Sequence, residues 1–159
     1  VDAAGAAGRP WLLDPAHCDY SELRRSFAQD LLGRVPAVLR ANGAEFVLLD
    51  PPAGVVAVET GAADRVERDG RAAILRNGDP LTARVTGTGC LSGAIIAAFL
   101  AVEPDAFDAA VAATAVVGVA AEIAARTAAG PGSFEPALLD ALYTLDPEVI
   151  ANRLSIDHA

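Results

Sequence analysis

Residues 55–90, VVAVETGAADRVERDGRAAILRNGDPLTARVTGTGC, decide the fold. Val55-Val56-Ala57-Val58 is a continuous apolar run of strand length, the pattern of a strand covered on both faces. Arg65-Val66-Glu67-Arg68 and Arg71-Ala72-Ala73-Ile74-Leu75 flank Asp69-Gly70, whose left-handed tolerance suits a tight hairpin turn. Val85-Thr86-Gly87-Thr88-Gly89-Cys90 then opens an apolar, small-residue helix expected from about Leu91 to Ala101. A strand, a hairpin and a glycine-rich turn into a helix place a sheet against helices.

The flanks extend this pattern. Val1 to Gly8 is small and featureless and is expected to fray. Trp11-Leu12-Leu13 before Asp14-Pro15 reads as a short strand ending in a polar turn. Ser21 to Leu32 has Leu23, Phe27, Leu31 and Leu32 at helical spacing, with Ser21 as cap and Gly33 as stop. Val35 to Leu39 reads as a strand, Asn42-Gly43 as a turn and Asp50-Pro51-Pro52 as a loop. Downstream, helices are expected over Phe107 to Thr127, from Ser133 as cap to about Leu145, and from Pro147 to Leu154. Strands alternating with helices and followed by a helical tail predict an α/β layered fold, a central sheet flanked by helices.

Composition narrows the function. A chain of 159 residues, 53% hydrophobic and 21% charged, fits one domain over 1–159 with a real core. All basic residues are Arg, 12 against 21 acidic, and the net charge is -9. That balance disfavours nucleic-acid and anionic-membrane partners but leaves a local nucleotide site open. Two Cys form no disulfide framework, so a reducing, cytoplasmic setting is expected. The apolar stretch from Ala106 to Ala125 is broken by Asp108 and Glu122 and reads as a buried helix. The chain begins at Val1 and contains no Met, as a non-standard start or a piece of a longer chain would.

Chemistry is expected at Gly87, Thr88, Gly89 and Cys90. Glycines let backbone approach a ligand, and the first helical turn offers unpaired N–H groups and the positive end of the helix dipole. Together they make an anion hole suited to a transferring phosphoryl group. The Cys90 thiol is placed to take a proton from a substrate hydroxyl or to lie beside one. The bland alternative is a tight turn followed by a buried Cys. His17-Cys18-Asp19 carries ligand-type residues, but no second cluster accompanies it and His158 is the other His, so no metal is assigned there.

Arg76 to Cys90 resembles hydroxyethylthiazole kinase, a family of the ribokinase-like superfamily that serves thiamine salvage. The resemblance continues through Gly130-Pro131-Gly132-Ser133-Phe134 and Leu139 to Tyr143. It extends upstream through Thr60-Gly61, Arg40 to Glu45, and Leu13-Asp14-Pro15 with Arg24. It implies a ribokinase-like fold and transfer of a phosphoryl group from ATP, with Mg²⁺, to 4-methyl-5-(2-hydroxyethyl)thiazole. By position it makes Cys90 catalytic and Gly87 substrate-binding. Arg40 and Thr60 become ATP-binding, and Asp14 and Glu45 the acidic pair that organises Mg²⁺. These types suit the task, since Arg matches polyphosphate and Mg²⁺ takes carboxylate oxygens and water. A homotrimer is also implied. Read alone, Asp14 would be a turn residue, Arg40 and Glu45 a solvated pair, and Thr60 a strand end.

The resemblance is to the C-terminal portion of the family. Only thirteen residues precede Asp14, where the family has a substantial N-terminal region. The stretch from Phe46 to Glu59 is also short, with room for little more than a loop and a strand. The alternative is therefore a truncated or degenerate, non-catalytic paralogue that retains at most nucleotide binding and oligomerisation.

Overall fold

A six-stranded sheet runs through the protein with its strands in chain order. The computed structural model describes residues 1–158. β1 (Leu12–Leu13), β2 (Val38–Asn42) and β3 (Val56–Thr60) are parallel neighbours. β4 (Asp64–Arg68), β5 (Arg71–Leu75) and β6 (Ile156–His158) continue antiparallel. The β4–β5 hairpin turns at Asp69 (φ 49°) and Gly70 (φ 84°), as its Asp-Gly step predicts.

The helices are α1 (Asp2–Ala6), α2 (Glu22–Leu32), α3 (Gly43–Phe46), α4 (Thr88–Leu100), α5 (Ala106–Ala125), α6 (Pro131–Thr144) and α7 (Pro147–Arg153). α4 and α5 cover one face of the sheet. Val56, Val58, Val66, Ala73 and Leu75 meet Ile96, Leu100, Phe107 and the alanines of α5 there. α2 packs on the other face, at the β1–β2 end only, where Ala28 and Leu32 join Leu13, Leu39 and Val55. Phe134 and Leu138 of α6 close a third cluster against Ala120, Ala121 and Ala124. Burying one such aromatic stabilises the fold by about 1.5–3 kcal/mol.

α5 is the one helix, among the described residues, long and apolar enough to cross a membrane, yet 56% of its apolar window is buried inside the protein. Its alanines let α4, α6 and the sheet come close, which accounts for the apolar stretch as core.

Several boundaries differ from the sequence reading. β2 starts at Val38, because Val35 adopts φ 54° and Pro36 has no N–H to give a ladder. Asn42-Gly43 starts a helix instead of a free turn: the Asn42 side chain accepts from the Ala44 and Glu45 N–H groups, and Glu45 accepts from the Asn42 N–H. α4 begins at Thr88, three residues early. α6 is capped by Gly130 with Pro131 in its first turn, and Ser133 Oγ accepts from the Ala129 N–H. The coverage of Val55 to Val58 is uneven, since Ala57 and Glu59 face away from α4 and α5 and are only half-buried. Asp2–Ala6 forms a short helix where fraying is expected, and β6 has no sequence signal of its own.

Candidate active site

The parallel strands β1 and β2 end on the same side as the first turn of α4, so their C-terminal residues meet the glycine-rich loop. A cavity of about 440 Å³ opens there. Asp14 and His17 follow β1; Arg40 and Asn42 lie on β2; Glu45 is on α3; and Thr60 ends β3. Arg84, Thr86, Gly87, Gly89 and Cys90 close the far wall. Residues from 14 to 90 in the chain thus share one site.

Gly87 is the pivot. It holds φ 99° as the N-cap of α4, a left-handed conformation that a side chain would strain. Thr88, Gly89 and Cys90 occupy the first turn, where N–H groups have no intrahelical acceptor. Cys90 is exposed toward the cavity and unpaired. Thr88 turns away: its Oγ1 donates to the Thr82 carbonyl at 2.8 Å and the Val85 carbonyl at 3.2 Å. Its side chain therefore pins the loop to the preceding 3₁₀ turn, Pro80–Arg84, and its backbone N–H is what remains for an anion.

Arg40 and Asp14 form a largely buried ion pair, Nη1 to Oδ2 at 3.0 Å. They fit because α4 presents glycines to them. A Cβ at Gly89 would come within 3.3 Å of both terminal nitrogens of Arg40, and one at Gly93 within 3.3 Å of Asp14 Oδ2. Burial pushes the Asp14 carboxyl above its usual range, and Arg40 pulls it back only in part. The sequence reading of Arg40 and Glu45 as a solvated pair does not hold, because Arg40 pairs with Asp14.

Glu45 is 4% exposed. Its Oε1 accepts from the His17 N–H at 2.6 Å and its Oε2 from the Asn42 N–H at 3.0 Å. Thr60 Oγ1 donates to the Ala41 carbonyl at 3.4 Å, tying β3 to β2 beside the cavity.

Arg84 is a wall residue to which the sequence reading gave no role. It is exposed and makes no ion pair among the described residues. Its signal was its place just before the glycine-rich loop. Asn42 was legible only as a turn residue and His17 only as part of a weak ligand cluster.

Residues 49–148 match the family model described as the hydroxyethylthiazole kinase family. A probable hydroxyethylthiazole kinase of Agrobacterium fabrum is 49% identical over 158 residues, covering 99% of this chain and 64% of its own length. A hydroxyethylthiazole kinase of Cereibacter sphaeroides is 42% identical over 183 residues, covering 98% and 69%. The solved structure of the hydroxyethylthiazole kinase protein from Pyrococcus horikoshii OT3 superposes with TM-score 0.92 at 30% identity, over 98% of this chain and 68% of that one. The chain spans about two thirds of the length of these relatives.

Proposed function

The chain belongs to the hydroxyethylthiazole kinase family, and from that we propose that it phosphorylates 4-methyl-5-(2-hydroxyethyl)thiazole with ATP in thiamine salvage. The observation that carries this reading is one cavity in which the open first turn of α4, Cys90 and two Arg side chains lie together. In-line phosphoryl transfer asks mainly for positioning and charge stabilisation, which this set offers.

In this reading the substrate hydroxyl lies beside Cys90 and attacks the γ-phosphorus. The new O–P bond forms as the bond to the β-phosphate oxygen breaks, and ADP leaves. The hydroxyl proton passes to an oxygen of the transferred phosphoryl group, with Cys90 beside the hydroxyl to orient it. The backbone N–H groups of the first turn of α4 hold the charge that develops on the γ-phosphoryl oxygens. Arg40, Thr60 and Arg84 hold the nucleotide. Asp14 and Glu45 would hold Mg²⁺, which supplies neutralisation of the phosphates when bound. They fit it as hard oxygen donors, with water and phosphate completing the shell.

The homotrimer belongs to this proposal. α2 exposes Leu23 (81%) and Phe27 (63%) one turn apart, with Tyr20 before them, an apolar stripe that a neighbouring subunit would cover. A single domain over 1–159 in the cytoplasm completes it.

The test is phosphorylation of the thiazole alcohol by the purified chain, with ATP and Mg²⁺ and the product detected by mass. Turnover that falls at least about 100-fold in Gly87→Val is expected, on the scale of losing one positioned donor. No turnover by chain shown to be folded, or unchanged turnover in Gly87→Val, overturns the proposal.

A further inference from the structure

The loop after β1 carries His17 and Asp19, and the fold brings Glu45 to them from α3. One ligand-type atom of each lies within 4.8 Å of the others. We propose that His17, Asp19 and Glu45 form a site for a first-row divalent metal ion, of the Mn²⁺ type, that fills without nucleotide.

Glu45 is buried, and each of its carboxylate oxygens accepts one backbone N–H, which leaves each a further lone pair. Asp19 Oδ1 is buried with no hydrogen-bond partner. A buried carboxylate oxygen without a donor is costly, and a second carboxylate beside it adds repulsion. Among the described residues neither Asp19 nor Glu45 takes part in an ion pair. No arginine hydrogen-bonds to either carboxylate: Arg24 Nη1 donates to the Ala16 carbonyl, and Arg25 Nε is buried without a partner.

A divalent cation would answer both unmet needs at once. The donor set, two carboxylates and one imidazole, selects its kind. Carboxylates alone suit Mg²⁺, whereas an imidazole nitrogen favours ions such as Mn²⁺, Fe²⁺ or Zn²⁺. The His17 imidazole lies beside the Tyr20 ring, ring centroids 5.2 Å apart. The site borders the nucleotide cavity through His17 and shares Glu45 with the Mg²⁺ of the kinase reading, so His17 and Asp19 are the ligands that set it apart.

The test uses the full chain, stripped with chelator and titrated with Mn²⁺ in the absence of nucleotide and thiazole, with free Mn²⁺ read by electron paramagnetic resonance. One ion per chain is expected, displaced by Mg²⁺ only at about tenfold or greater excess. His17→Asn keeps the left-handed backbone at φ 62° and removes the imidazole; Asp19→Asn removes the orphaned carboxylate. Each is expected to weaken Mn²⁺ binding at least about tenfold while leaving the unfolding midpoint of the ion-free chain within error or higher. His158→Asn, on β6, should leave the affinity unchanged. Absence of stoichiometric binding, or affinity unaltered in both loop variants, overturns the proposal. So does Mg²⁺ competing as well as Mn²⁺, which would leave a carboxylate pair alone. Because nucleotide is absent, failure here and failure of the kinase assay are separate results.

Discussion

Gly118→Ala, buried in the middle of α5, is expected to destabilise the protein although alanine is the better helix former. Replacing a helix-interior Gly gains about 1 kcal/mol. Against it, a Cβ at 118 would sit 2.8 Å from the Asn77 carbonyl oxygen and 2.9 Å from its Cβ. Asn77 has no room to retreat. Its Nδ2 donates to Glu122 Oε1 and to the Arg153 carbonyl, both at 2.9 Å, and its Oδ1 accepts from the Ser155 N–H at 2.7 Å. Overpacking of a tight core costs about 1–3 kcal/mol. Breaking one of these buried bonds costs about 1–3 kcal/mol more if a partner is left unsatisfied. The net is a loss of about 1 kcal/mol if the bonds hold and about 3 kcal/mol if one breaks, or about 2–12 °C in Tm for a chain of this size. Thermal and urea unfolding of Gly118→Ala would be measured beside Gly132→Ala in α6, where a Cβ meets nothing within 4 Å and stability should hold or rise. A Gly118→Ala midpoint at or above the parent's would refute the reasoning that α5 and Asn77 are locked by contact.

Two further outcomes follow from the same structure. Arg84→Ala should raise the KM for ATP about tenfold, the worth of one charge-assisted hydrogen bond, with kcat changed less. Its Tm should stay at the parent's value, because the side chain is exposed and unpartnered. Asp105 caps α5 and pairs with Arg68 and Arg71. Partial burial pushes its carboxyl up, but the Asp108 N–H, Arg68 and the Phe107 N–H outweigh it and hold it at about 2. A carboxyl held below its unfolded value stabilises the fold above about pH 4 and ceases to do so as pH falls through 2. Asp105→Asn keeps a capping oxygen, so it should lose about 1 kcal/mol at neutral pH and converge on the parent near pH 2. A constant difference across that range would show that the charge is not the cause.

Much of the fold was legible because its signals are local. Asp69-Gly70 names its own turn, Ser21 its cap, and the apolar run at Val56 its strand. The errors fell where a distant partner decided the outcome. Leu23 and Phe27 have helical spacing yet face outward, because α2 reaches the sheet through Ala28 and Leu32. Val35 has strand character but takes φ 54°, so the strand begins only at Val38. β6 exists because β5 offers an open edge, and three residues such as Ile156 to His158 carry no pattern that announces it.

The site divides in the same way. From the amino-acid order alone, Gly87, Gly89 and Cys90 read as a ligand-facing helix start, since glycine freedom and orphaned N–H groups are properties of neighbouring residues. The resemblance supplied Asp14, Arg40, Glu45 and Thr60, and the sheet brings them to one cavity because parallel strands end on one side. Only the tertiary structure decided how they are used. Asp14 and Arg40 pair across the glycine face of α4, a contact set by the width of an absent Cβ. Thr88 gives its hydroxyl to the Thr82 and Val85 carbonyls and holds its own loop. Glu45 joins His17 and Asp19 across a separation of 28 residues from His17. No spacing rule spans such a gap, because through-space charge and hydrogen bonding depend on distance in the fold and not on distance along the chain.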